Sequence, residues 1–244
     1  MSYKYISGGR THLHTLDDKP LMGTSTVVKI LGKGDGLLIW AVNCAVDHIK
    51  KNVYEVDIDV LVNETLEEAR DAWKTNRDKS AKKGTERHAT LEDYVRECIK
   101  ENEGRPLVRQ IDGVQPFIDW SVKNVKRFIG TELNCYSRDL WVGGICDLVV
   151  EMNDGKVLIG DHKSSKEAYL DQFIQTALYG LLIKSSGGLT ADGEEVLKVP
   201  EVNGYVIFPF RSSPFTPEYV YDVEGYESAA KACVQLYKLS ESRK

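Results

Sequence analysis

The stretch GGICDLVVEMNDGKVLIGDHKSS, residues 143–165, constrains the fold more than any other part of the chain. Two β-rich runs, WVGGICDLVVEM (141–152) and KVLIGDHK (156–163), flank Asn153-Asp154-Gly155. That arrangement predicts an antiparallel hairpin. Its register decides which side chains share a face, because a one-residue slip carries side chains to the other side of the sheet. A two-residue loop of Asp154-Gly155 pairs Asn153 with Lys156. Asp147 then opposes His162, and Asp161 points away. A three-residue loop pairs Met152 with Lys156. Asp147 then opposes Asp161, with Lys163 on the same face. Three-residue hairpins favour Gly at their last, left-handed position, where Gly155 stands.

In the second register two carboxylates and a lysine converge, although aspartate is disfavoured within sheets. Such a set suits a hard divalent cation held beside a phosphodiester. Asp147 and Asp161 are the candidate carboxylate ligands, and the backbone carbonyl of His162 is a further one. Mg²⁺ takes oxygen ligands in octahedral geometry. Lys163 would stabilise negative charge on phosphoryl oxygens. Strand alternation turns the His162 ring away from that face, so its side chain carries no expected role. His88 lies in GTERHATLE, where Thr85 is the expected helix cap and His88 falls in the first turn. Glu92, four residues on, shares its face and would orient His88 or reach the site itself. An imidazole accepts Mn²⁺ as readily as Mg²⁺, so both ions are expected to support activity. Gln175 and Tyr179 share one helical face in QTALY. They read either as a core pair or as a site wall contacting water or DNA.

At 244 residues with 42% hydrophobic content, the chain fits one large domain or a core with an appended lobe. Helical patterns are expected at 37–51, 63–82 (opened by Asn63, with Glu67 and Glu68 in its early turns), 85–103, 116–128, 166–184 and 225–241. Strands are expected at 131–137, 141–152, 156–163 and 202–210, with an edge strand at 219–223. Residues 1–31 read as irregular or short-strand structure, with Thr24 to Thr26 opening a short helix. This order predicts an α/β fold, a central mixed β-sheet flanked by helices, with a helical N-terminal region. The formal charge of -5 argues against a protein that coats nucleic acid by bulk charge, but leaves a local positive track open. The run 70–88 carries Lys74, Arg77, Lys79, Lys82, Lys83 and Arg87. It reads either as a solvated helix face or as a DNA-backbone track. Trp73 would stack on a base or sit in the core. Five scattered cysteines without CxxC spacing suggest reduced thiols, hence a cytoplasmic location, and no cysteine-held metal cluster. No run approaches membrane-span length.

These residues together resemble the PD-(D/E)XK nuclease superfamily, in its RecB-like exonuclease branch as found in phage and mitochondrial exonucleases. The match runs from TSTVVKIL and Trp40, through GTERH and GGICDLV, to IGDHKSS and QTALY, about residues 22 to 180. The resemblance implies a single nuclease domain over 1–244, with a mostly helical N-terminal elaboration (1–83) and a restriction-endonuclease-like core (84–244). It implies His88, Asp147, Asp161 and Lys163 as the metal and catalytic set, with Gln175 and Tyr179 as a trailing motif. Glu132 corresponds to an acid on the first core strand of some members. Some relatives hold an iron–sulfur cluster through four cysteines, and that pattern is missing here. The implied function is Mg²⁺- or Mn²⁺-dependent DNA exonuclease activity in phage or bacterial recombination, repair or degradation. The implied partners are DNA and a helicase or single-strand annealing protein. Two other readings remain within the resemblance, a structure-specific endonuclease and a catalytically silent DNA-binding relative. Outside it stands an α/β interaction protein whose acids are coincidental.

Overall fold

The computed structural model describes residues 2–8, 11–32, 36–52, 58–190 and 196–243. The chain opens with β1 (Tyr3–Gly8), β2 (Thr11–Leu16), β3 (Lys19–Pro20), β4 (Met22–Gly23) and α1 (Thr24–Val28). Helices α2 (Gly36–Asn52), α3 (Ile58–Glu101) and α4 (Gln115–Asn124) follow. Next come β5 (Val125–Ser137), β6 (Val142–Met152), β7 (Val157–Lys163) and α5 (Leu170–Ser186). The chain closes with β8 (Gly188–Leu189), β9 (Val196–Leu197), β10 (Gly204–Pro209), β11 (Glu218–Val220) and α6 (Val223–Glu241). It forms two compact units, residues 1–31 with 87–244, and residues 32–86. The first 31 residues therefore belong with the sheet rather than with the helical segment that follows them.

The larger unit is an α/β fold. Eight strands among the described residues form one mixed sheet, ordered β11-β10-β7-β6-β5-β8-β9, with β4 beside β6. β5, β6 and β7 are antiparallel neighbours, whereas β10 runs parallel to β7. That parallel pairing needs a long crossover, which includes α5. Apolar residues of α1, α5 and α6 cover one face, packing on Val149, Ile159 and Ile207. Leu91, Tyr94, Val95 and Cys98 of α3, with Phe117 and Ile118 of α4, cover the other, over Leu148, Val150 and Phe208. Burial on both faces explains why β7 and β10 read as near-continuous apolar runs. No helix among the described residues is long and apolar enough to cross a membrane.

The central hairpin takes the three-residue loop. Leu148 pairs with Gly160 and Glu151 with Val157, and the Met152 N–H donates to the Lys156 carbonyl at 2.8 Å. Gly155 closes the turn at φ +86°, in the left-handed region.

Several boundaries differ from the expectation. The helices expected at 63–82 and 85–103 are one helix, α3, of 44 residues. A single Gly in an exposed helix interior costs only about 1 kcal/mol relative to Ala, and Gly84 lies among strong helix formers. Thr85 does not cap; its Oγ1 donates to the Ala81 carbonyl one turn back. The side chains of Asn63 and Glu67, expected near a helix start, lie outside the described residues. α4 ends at Asn124 rather than Phe128. There Asn124 Nδ2 donates to the Trp120 carbonyl, and the chain turns into β5. Lys126 and Arg127 then reach Glu151 across the sheet, both at 2.6 Å. α5 starts at Leu170 rather than 166, where Gln172 Oε1 accepts the Tyr169 N–H.

In the smaller unit, His48 Nε2 lies 3.2 Å from Glu68 Oε2. The Trp73 ring is half-buried, with Arg77 and Lys74 over it at 5.2 and 5.9 Å. Lys74 also pairs with Asp71, and Arg77 with Asp78.

Gly155→Ala should destabilise the protein by about 1–2 kcal/mol, the cost of a left-handed conformation at an L-residue. Gly155→Asn should cost less, because Asn tolerates that region. Urea midpoints at unchanged m-value test this. Equal stability of Gly155→Ala and the parent would mean the turn does not hold this register.

Candidate metal and catalytic site

The site lies where β6 and β7 part. Their ladder ends at Leu148–Gly160. Beyond it, the His162 N–H donates at 3.0 Å to Asp147 Oδ2, not to a backbone carbonyl of β6. The Asp147 carboxylate therefore stands between the strands, reachable from both faces of the sheet. Its register partner is Asp161, one step beyond the last ladder pair. On the other side, Thr131 pairs with Leu148 and Leu133 with Cys146, so Glu132 falls opposite Asp147. Three acids thus occupy one level of three adjacent strands. Glu132 has φ +49°, a strained backbone for an L-residue. A bulge between Phe128 and Gly130 lies just upstream. The Thr131 hydroxyl donates to the Asp147 carbonyl at 2.8 Å, tying that segment to β6.

Burial and mutual repulsion act together on these acids. Burial is the largest effect at all three and raises each pKa. Glu132 is pushed up to about 8, with Asp147 and Glu92 adding to the rise. Asp161 and Asp147 also rise by burial, although Lys163 opposes the shift at both.

Lys163 Nζ lies 2.5 Å from Asp161 Oδ2 and donates to Gln175 Oε1 at 3.1 Å. Gln175 Nε2 in turn donates to the Tyr179 hydroxyl at 2.8 Å, which also shares a hydrogen bond with Thr24. Gln175 and Tyr179 thus form a relay that holds the ammonium in place. Gly144 makes room for it: a Cβ there would come within 2.7 Å of Thr24 and 2.8 Å of Tyr179. Burial alone would lower the Lys163 pKa, but Asp161 and Asp147 outweigh it and raise it. Lys163 is therefore a permanent cation rather than a neutral base.

His88 comes from α3, in its interior rather than in a first turn. Its Nε2 lies 2.9 Å from the His162 carbonyl, and its Nδ1 3.6 Å from Asp147 Oδ2. The His162 carbonyl, a candidate ligand from sequence, is thus taken by His88. The His162 ring packs among Phe117, Phe208 and Phe210, as alternation implies. Its Nδ1 edge nevertheless comes to 3.8 Å from Asp147 Oδ2, because Asp147 stands in the gap between strands. Alternation by itself does not anticipate this approach. Among the described residues, His88, Asp147 and His162 offer ligand atoms that all lie within 4.8 Å of one another. Asp161 turns instead toward Lys163. Glu92 pairs with Arg96 at 2.5 Å and still bears on Glu132 and Asp147.

A cleft of about 780 Å³ opens on Asp147 and Tyr179. Thr24, Ser25, Thr26, Lys29, His12 and His14 contribute to its wall. The histidines belong to a ladder that sequence reasoning missed. Tyr3 hydrogen-bonds His14, Tyr5 hydrogen-bonds His12, and Tyr3 stacks on Tyr136. Alternation of Tyr and His in YKYIS and THLHT was the available signal. Arg87 stacks over Phe210 at 4.9 Å. Lys74, Arg77, Lys79, Lys82 and Lys83 lie in the smaller unit.

The acids predict how stability depends on pH. Their folded pKa values lie above their unfolded ones, so from about pH 5 to 8 the folded state holds protons that the unfolded chain has released. Stability of the metal-free protein should fall as pH rises through that window. Glu132→Gln should flatten the fall. Denaturation in chelator from pH 5 to 9 tests this, and stability rising over that range would contradict it.

No family model matches this chain, and no curated protein matches it.

Proposed function

We propose that the protein is a divalent-metal-dependent deoxyribonuclease of the PD-(D/E)XK type, removing nucleotides from DNA ends in phage or bacterial recombination, repair or degradation. The observation that carries this reading is the placement of Glu132, Asp147 and Asp161 at one level of three strands, with a caged cation, Lys163, beside Asp161. Buried carboxyls with raised pKa values are poorly satisfied by protein alone. Their donor chemistry, with His88 at hand, fits a bound dication. Asp147, Asp161 and His88 would hold Mg²⁺ or Mn²⁺, which polarises a phosphate and acidifies a water when bound.

The chain's own groups supply the rest. Lys163 keeps its charge and faces the developing negative charge of a phosphoryl group. Asp161 and Gln175 fix its ammonium from two sides, and Tyr179 fixes Gln175. The cleft beside Asp147 gives an extended strand a route to the site, with Lys29 and the hydroxyls of Thr24, Ser25 and Thr26 as phosphate partners. The choice of exonuclease over endonuclease rests on the resemblance of GTERH, GGICDLV, IGDHKSS and QTALY to the RecB-like branch.

Two measurements separate the parts of this reading. Lys163→Met should lower cleavage by about 10²–10³-fold, the usual loss for one electrostatic stabiliser, while Mn²⁺ affinity by calorimetry is kept. Asp147→Ala should lose both. Equal loss of metal affinity in the two variants would remove the role given to Lys163. End-labelled linear DNA should be degraded in Mg²⁺ or Mn²⁺, while a covalently closed circle of the same sequence survives. Circles cut as fast as linear molecules would replace the exonuclease by an endonuclease.

A further inference from the structure

Two imidazole edges, those of His88 and His162, approach the same Asp147 oxygen. The His162 carbonyl can only accept, so His88 Nε2 carries the proton in their 2.9 Å hydrogen bond. The neutral His88 ring therefore turns a bare Nδ1 toward Asp147 Oδ2, 3.6 Å away. His162 is nineteen-twentieths buried, and its Nε2 has no hydrogen-bond partner among the described residues. The ring packs against Phe117, Phe208 and Phe210, with centroids 5.3, 5.3 and 5.9 Å away. Its Nδ1 faces the same Asp147 oxygen at 3.8 Å. The three ligand atoms all lie within 4.8 Å of one another, a spacing that one cation can bridge. His88 has the usual arrangement of a ligand, with Nδ1 toward the site and the Nε2 N–H held by a carbonyl.

We propose that the His162 imidazole is itself a metal ligand, completing with His88 Nδ1 and Asp147 Oδ2 an N₂O site for a first-row transition-metal dication. Two nitrogens with one carboxylate favour Mn²⁺, Co²⁺ or Zn²⁺ over the oxygen-seeking Mg²⁺. The strand gap makes this feasible, since it lets a ring from the opposite face reach the carboxylate. Separations of 3.6 and 3.8 Å need to close by about 0.6 and 0.8 Å to reach the roughly 3 Å spacing of adjacent donors on an ion bound at about 2.1 Å. The proposal deepens the nuclease reading but does not require it, because it concerns which ion the site holds.

The test uses the full chain. Long-range ¹H–¹⁵N spectra of histidine-labelled protein, taken before and after ZnCl₂, read each ring nitrogen separately. Two histidines should show a shifted Nδ1 with Nε2 still protonated. Response of a single histidine would overturn the proposal without any variant. Calorimetry with MnCl₂ and MgCl₂ then compares the parent with His162→Phe, whose ring suits the surrounding aromatics. Mn²⁺ affinity should fall by roughly tenfold or more, with Mg²⁺ affinity much less changed. Unchanged Mn²⁺ affinity in a folded His162→Phe variant would also overturn it. Two responding histidines without DNA cleavage would sink the nuclease reading and leave this site standing. Cleavage with one responding histidine would do the reverse.

Discussion

The site depends on one hydrogen bond, that of the His162 N–H to Asp147 Oδ2. A β-ladder that continued would pair this N–H with a backbone carbonyl and seal the sheet. A carboxylate in that place satisfies the buried donor and holds the strands apart. A charged hydrogen bond of this kind is worth about 1.5–3 kcal/mol, enough to offset part of the cost of burying the acid. It also sets where every other group must stand. Asp161 and Lys163 approach from one side of the gap, and His88 and the His162 ring from the other. Glu132 closes the end of the row from β5.

Charge balance explains why this arrangement survives in the folded state. Three acids in a buried row cannot all ionise beside a single lysine. The metal-free protein keeps protons among them and directs Lys163 at Asp161. Any bound dication replaces those protons, so metal binding and proton release are coupled. The strain at Glu132, φ +49°, belongs to the same balance, because backbone strain persists where surrounding contacts over-determine it.

Much of the core was legible in the sequence because its determinants are local. Asn153, Asp154 and Gly155 select the loop, the loop selects the register, and the register brings Asp147 level with Asp161. Alternation and helical periodicity then place the remaining core strands and helices to within a few residues. What escaped was decided by distant parts of the chain. Gly84 and Thr85 carry the local signature of a helix boundary, yet α3 runs through them, since neighbouring helix formers outweigh one Gly. The His88–His162 bond joins residues 74 positions apart, and nothing beside either predicts it. The Tyr3–His14 ladder depends on a hairpin packing beside Tyr136, far along the chain.

The reading of His162 shows where a local rule fails for a physical reason. Alternation assigns side chains to faces only while the ladder is intact. Once Asp147 separates β6 from β7, the two faces are no longer isolated at that level. A ring anchored in one apolar core can then present an edge to chemistry on the other side. The aromatic residues around His162 do more than fill space under this geometry. Phe117, Phe208 and Phe210 hold the ring from several sides while its Nδ1 stays 3.8 Å from Asp147 Oδ2.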